Sequence, residues 1–177
     1  MLRQLDWGPV LSADFAEEAQ SGTATDRIGP RPFCAIPKFM ATLNHIGIAA
    51  SDLPELKKLF SHLGLTVQGA VNVAEQGVKT HFIPLPKSNT QLELLEVTDP
   101  EGVVAQFIKK RGPGIHHLSF QVDSGSLDWL CVNLKKDGYR LVYDAPRKGA
   151  HAMRINFIHP GSAGGILIEL MESAGPK

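Results

Sequence analysis

Two short stretches decide the fold: Asn44-His45-Ile46-Gly47-Ile48 and His116-His117-Leu118-Ser119-Phe120. Each reads as a strand that opens on histidine. Each is followed by an aspartate (Asp52, Asp123), an amphipathic helical stretch and a glycine-containing turn, Gly64-Leu65-Thr66-Val67 or Gly138-Tyr139-Arg140-Leu141. Each half closes on an apolar run that carries a glutamate, Gln91-Leu92-Glu93-Leu94-Leu95 and Ile166-Leu167-Ile168-Glu169-Leu170. The spacing is 72 positions between His45 and His117 and 76 between Glu93 and Glu169. A repeat of that length is a duplicated half-domain rather than a solenoid unit. The expectation is an α+β fold of two tandem β-α-β-β-β modules, at about 42–100 and 114–173, in a domain spanning 41–177.

Working outward, strand-like runs occur at Leu43–Ala49, Val78–Leu85, Gln91–Glu96, Ile115–Val122, Ile155–Ile158 and Ile166–Met171. Helical periods cover Leu53–Leu63 and Leu127–Lys136, each stopped by a glycine, and a short helix is expected over Val103–Lys110. Gly112-Pro113-Gly114 reads as the linker between modules.

Composition excludes several classes. The chain has 177 residues, 43% hydrophobic and 20% charged, which suits a globular domain with its own core. Eighteen basic residues balance eighteen acidic ones, so charge gives no case for a nucleic-acid or membrane-surface partner. No apolar run approaches the roughly 18 residues of a membrane span. Cys34 and Cys131 are too few for a disulfide scaffold and read as ordinary thiols.

Residues 1–40 hold Pro9, Pro30, Pro32 and Pro37 and keep no hydrophobic period. They read as a flexible extension or a targeting segment. Met1-Leu2-Arg3 suits a leader, whereas Asp6, Asp14, Glu17, Glu18 and Asp26 do not.

The repeat carries the chemistry. Each half supplies a histidine on its first strand and a carboxylate on its last. Paired across a pseudo-twofold axis, His45, Glu93, His117 and Glu169 form two imidazoles and two carboxylates, a donor set for a divalent first-row ion. A lone strand histidine is usually structural and a lone strand-end glutamate usually solvated; recurrence in both halves is what favours ligation. Gln91 shares the face of Glu93 and is the alternative fourth ligand. Strand alternation places His117, Ser119 and Gln121 on the polar face and turns His116 away. Glu75, in the turn Val73-Ala74-Glu75-Gln76-Gly77-Val78, reads either as a solvated acid or as a general base at the mouth of a cup. His62, His81 and His159 do not recur and read as structural. Lys109, Lys110, Arg111, Arg147 and Lys148 are solvated charges or contacts for phosphates at the rim.

From Leu43 onward the chain resembles the methylmalonyl-CoA epimerases of the vicinal oxygen chelate, glyoxalase-like superfamily. The matching stretches are Leu43–Ala49, Glu75-Gln76-Gly77-Val78, Leu92-Glu93-Leu94-Leu95, Gly114-Ile115-His116-His117, Gly149-Ala150-His151, Phe157-Ile158-His159-Pro160 and Gly164–Leu170. The first and last are generic to the superfamily; the glutamate turn, Gly-Ile-His-His and Gly-Ala-His are more particular to the epimerases. The resemblance implies a U-shaped cup around one divalent ion, commonly cobalt, with zinc, nickel or manganese suited to the same donors. It implies His45, Glu93, His117 and Glu169 as ligands, Glu75 and Glu169 as an acid/base pair, and a CoA thioester as substrate. It further implies an isomerase of propionate metabolism, a homodimer, and a mitochondrial matrix location, with the cytoplasm as alternative. The chain departs at Ala152-Met153-Arg154, where the family usually has glycine and lysine, near the expected thioester pocket.

Two other functions share parts of the pattern. A glyoxalase-type lyase acting on a glutathione adduct would use the same ligands, and the Glu75 turn argues for the epimerase. A non-enzymatic binder of the superfamily generally lacks the full ligand set, which is intact here.

Overall fold

The two histidine strands lie side by side at the centre of one eight-stranded sheet. The computed structural model describes residues 40–149 and 153–173, so most of the proline-bearing segment 1–40 and the stretch Ala150-His151-Ala152 fall outside the described residues. The strands are β1 (Thr42–Ala50), β2 (Gly69–Val73), β3 (Val78–Pro84), β4 (Gln91–Val97), β5 (Gly114–Gln121), β6 (Arg147–Lys148), β7 (Met153–Ile158) and β8 (Leu167–Ser173). The helices are α1 (Leu53–His62), α2 (Val103–Arg111) and α3 (Leu127–Lys136).

Sheet order is β2-β3-β4-β1-β5-β8-β7-β6. Each half therefore repeats one arrangement in mirror sequence: its first strand is innermost and pairs in parallel with its last, β1 with β4 and β5 with β8. The halves join through the antiparallel pair β1–β5, which carries the pseudo-twofold relation. The sheet curls, giving an α+β fold of the expected class. Two strands escaped the periodicity. β2 is short and mostly exposed, and β6 has two residues, so neither leaves an alternating pattern to read.

The convex face holds α1 and α3. α1 packs through Leu53 on Ile83, Leu92 and Leu94, with Ile46 and Ile48 of β1 against them. α3 packs through Leu127 and Cys131 on Val122, Ile158 and Leu170. Each such large apolar side chain contributes about 1.5–3 kcal/mol on full burial. α1 starts as its sequence requires: Asp52 accepts a hydrogen bond from the Glu55 backbone N–H at 3.0 Å, and Gly64 follows the end with φ 75°. α3 starts differently. Ser126 makes no side-chain cap; Glu172, brought up by β8, accepts from the Leu127 N–H at 3.0 Å. That carboxylate is 1% exposed and is neutralised by Arg154.

α2, through Val104 and Phe107, forms a third cluster with Ala49, Val78, Leu95 and Leu167. Val103 and Val104 at its start line the concave side, so this linking helix closes one end of the cup.

Candidate metal-binding active site

Four adjacent central strands each deliver one side chain to the concave face: Glu93 from β4, His45 from β1, His117 from β5 and Glu169 from β8. Alternation explains their company. On β4, Gln91, Glu93 and Leu95 face the cavity, while Leu92 and Leu94 face the α1 side. On β8, Leu167, Glu169 and Met171 face the cavity, while Ile168 and Leu170 pack under α3.

The donor atoms converge. His45 Nε2 lies 3.0 Å from His117 Nε2, 3.3 Å from Glu169 Oε2 and 3.5 Å from Glu93 Oε2. His117 Nε2 is also 3.5 Å from Glu93 Oε2. A ligand shell with bonds of about 2.1 Å sets neighbouring donors about 3.0 Å apart at right angles and about 3.4 Å apart in a tetrahedron. The observed separations of 3.0–3.5 Å lie close to that range, so the residues fit a divalent ion. Among the described residues, His45, His117 and Glu169 are a group whose ligand atoms all lie within 4.8 Å of one another. Glu93 is not one of those three, yet it is equidistant from both imidazoles. Gln91 lines the cavity one step up the strand; the carboxylate that meets the imidazoles is that of Glu93.

The chemistry of the set also calls for a cation. Asn44 Oδ1 lies 3.0 Å from His45 Nδ1, and Asn44 Nδ2 donates to Gln121 Oε1 at 3.0 Å. The amide thus offers its oxygen to His45, whose Nδ1 carries the proton and whose Nε2 lone pair points at the other donors. Without an ion, protons take that place. Burial opposes a charged His45, but its hydrogen bond to Glu169 and the charges of Glu93 and Glu169 outweigh it and raise its pKa. Glu93 is pushed up to about 7, chiefly by burial, with His45 opposing and Glu169 adding to the rise. Burial works on Glu169 in the same sense, but the His45 hydrogen bond, the neighbouring imidazoles and Ser119 outweigh it and hold the acid below its ordinary value. Burial keeps His117 neutral, with a pKa near 4.

Gly47 makes the arrangement sterically feasible. It stands opposite His117 in the β1–β5 register. A Cβ built on it would come within 2.8 Å of His117 Nε2 and closer still to Cε1 and Nδ1. The ring occupies the space that a side chain at residue 47 would need.

The surrounding cavity opens to solvent. Its walls are largely apolar: Val71, Val73, Phe82, Val142, Ile155 and Phe157 are typical. Tyr143, which sequence reading passed over, also lines it. Its backbone is held on both sides by fully buried Asn156, its ring meets Phe157 edge-on at 6.0 Å, and Arg147 sits 4.3 Å over its face. Burial raises the Tyr143 pKa, Arg147 opposes, and the charges of Glu169 and Glu75 add to the rise. Glu75 itself is exposed, in the 3₁₀ turn Ala74–Gln76, and its neighbour Gln76 reaches the cavity wall. The structure does not bring Glu75 into contact with the four converging residues, although its charge reaches Tyr143.

One expectation is corrected. His116 does not point away. The β1–β5 pairing matches Gly47 with His117 and Ile48 with Ile115, skipping residue 116. This irregularity breaks the alternation, and both imidazoles end up buried with their Nδ1 atoms 3.0 Å apart. Of the departing segment, Met153 lines the cavity, while Arg154 binds Glu172, and Asp128 at 2.8 Å, on the α3 side. His81 bonds Glu96 at 2.7 Å and Lys57 of α1 at 3.2 Å, and His159 accepts from Gly161 N–H at 3.0 Å; both are structural.

Residues 44–157 match the Glyoxalase/Bleomycin resistance protein/Dioxygenase superfamily. A mitochondrial methylmalonyl-CoA epimerase of Dictyostelium discoideum is 36% identical over 132 residues, covering 73% of this chain and 77% of the relative. The methylmalonyl-CoA epimerase structure from Mycobacterium tuberculosis is 41% identical with a TM-score of 0.67, covering 75% of this chain and 87% of that one. A methylmalonyl-CoA epimerase in complex with methylmalonyl-CoA and NH4+ also has a TM-score of 0.67, at 31% identity, covering 76% of this chain and 96% of that one.

Proposed function

Since the chain belongs to the methylmalonyl-CoA epimerase family of that superfamily, we propose that it interconverts the (R) and (S) forms of methylmalonyl-CoA in a metal-dependent reaction. The observation that carries this reading is the convergence of His45, Glu93, His117 and Glu169 at ligand-shell spacing in an apolar cup.

The reaction needs a proton removed from the carbon between thioester and carboxylate, and one returned to its other face. When bound, a divalent ion held by the four residues supplies positive charge against the oxygens on which the enolate develops. Cobalt is the ion proposed; zinc, nickel and manganese suit the same donors. The apolar walls exclude water around the reacting carbon and strengthen that electrostatic contact. Glu75, on the rim, takes or gives the proton on one face. Glu169 does so on the other, from the floor. Arg147 and Lys148 at the β6 edge, with Lys109, Lys110 and Arg111 at the end of α2, offer cations to the CoA phosphates. A homodimer in the mitochondrial matrix completes the reading, on the strength of the family resemblance.

Chelation tests it. Starting from one pure epimer, turnover should fall by about 10²-fold or more after EDTA treatment and return with cobalt. Undiminished turnover by protein shown by elemental analysis to hold no ion would exclude metal dependence.

A further inference from the structure

We infer that His116 is a positioning residue for His117: its Nδ1 accepts the proton carried on His117 Nδ1 and so keeps His117 Nε2 free to bind an ion. The inference rests on the metal-site reading above and deepens it.

The two Nδ1 atoms lie 3.0 Å apart, a hydrogen bond that needs one proton between them. His117 Nε2 faces His45 Nε2 at 3.0 Å and Glu93 Oε2 at 3.5 Å, so it is the ligating nitrogen. A neutral imidazole that ligates through Nε2 carries its proton on Nδ1. His117 therefore donates and His116 Nδ1 accepts. His116 is itself held in place, 8% exposed, with its ring edge-on to Phe107 of α2 at 4.9 Å.

The geometry is built by the backbone. Regular alternation would have set His116 on the face of Leu118, out of reach. The skipped pairing at residue 116 brings it round beside His117. The other half uses the same device: the pairing skips Asn44 between Leu43 and His45, and Asn44 Oδ1 accepts from His45 Nδ1. Both imidazoles thus have a dedicated acceptor behind them, one amide and one imidazole. Such partners fix tautomer and ring orientation, and their loss typically costs about 10–100-fold in metal affinity.

Two measurements test this. Titration of the full chain with Co²⁺, followed by visible absorption, compares the unsubstituted protein with His116→Leu and His116→Asn. The asparagine oxygen falls near the lost Nδ1 and retains an acceptor; leucine does not. His116→Leu should weaken cobalt binding by about 10–100-fold. His116→Asn should recover most of it. Equal affinities for all three, or equal losses in both variants, would overturn the inference, the latter by showing that packing against Phe107 is what matters. Should His116→Leu fail to fold, long-range ¹⁵N–¹H spectra of the ion-free, unsubstituted protein decide: His117 should be the Nδ1–H tautomer, and an Nε2–H tautomer overturns the assignment. Failure of the unsubstituted protein to take up cobalt would instead remove the metal-site reading, and the inference with it.

Discussion

Glu75→Gln should cut epimerisation by about 10²- to 10⁴-fold while leaving metal uptake unchanged. The two effects separate because the residue is remote from the ion's donors. Glu75 sits in an exposed 3₁₀ turn, and the converging atoms belong to His45, Glu93, His117 and Glu169. The amide has nearly the volume of the acid, and the side chain is exposed, so stability should change by no more than about 0.5 kcal/mol. What is lost is basicity: an amide cannot accept a carbon-bound proton. With one face of the substrate deprived of its base, the centre cannot be inverted, although Glu169 on the other face can still exchange the proton without inversion. Steady-state turnover beside metal analysis checks this. Near-native turnover would return Glu75 to the role of a solvated turn acid.

Gly47→Ala should do the reverse and abolish metal binding, although Gly47 offers no ligand. The new methyl group would occupy the space of the His117 ring, whose Nε2 lies 2.8 Å from where that Cβ must stand. His117 cannot retreat freely, because His116 is packed behind it against Phe107. The ring must therefore tilt out of the ligand shell, and cobalt affinity should fall by at least about 100-fold. Activity should fall with it. Circular dichroism separates this from unfolding, since β1 and β5 retain their backbone pairing. Unaltered cobalt affinity in a folded Gly47→Ala protein would mean that His117 is not a ligand in the orientation described. The contrast between the two substitutions is useful: one removes proton transfer and keeps the ion, and the other removes the ion.

The duplication made much of this legible. A histidine and a glutamate recurring at nearly equal spacing tie two distant strands to one chemistry, and strand alternation gives their common face. The pairing of β1 with β4 and β5 with β8 then follows from the β-α-β-β-β unit. What escaped reading depends on backbone geometry and long-range contact. The skip at His116 has no signature in side-chain period. Glu172 caps α3 from 45 positions away, so the start of that helix carries no local signal. The short β2 and β6 lack enough residues to show alternation. Asn44 could have been found, as a polar residue beside a candidate ligand histidine. Tyr143 could not, because its place in the wall is set by Asn156 and Arg147.

Incubation with methylmalonyl-CoA in deuterated water, with cobalt present and proton NMR as the readout, tests the central claim most directly. Deuterium should enter at the 2-position, and EDTA should stop it. A folded, cobalt-loaded protein that exchanges nothing at that carbon would contradict the account and favour a lyase acting on a glutathione adduct.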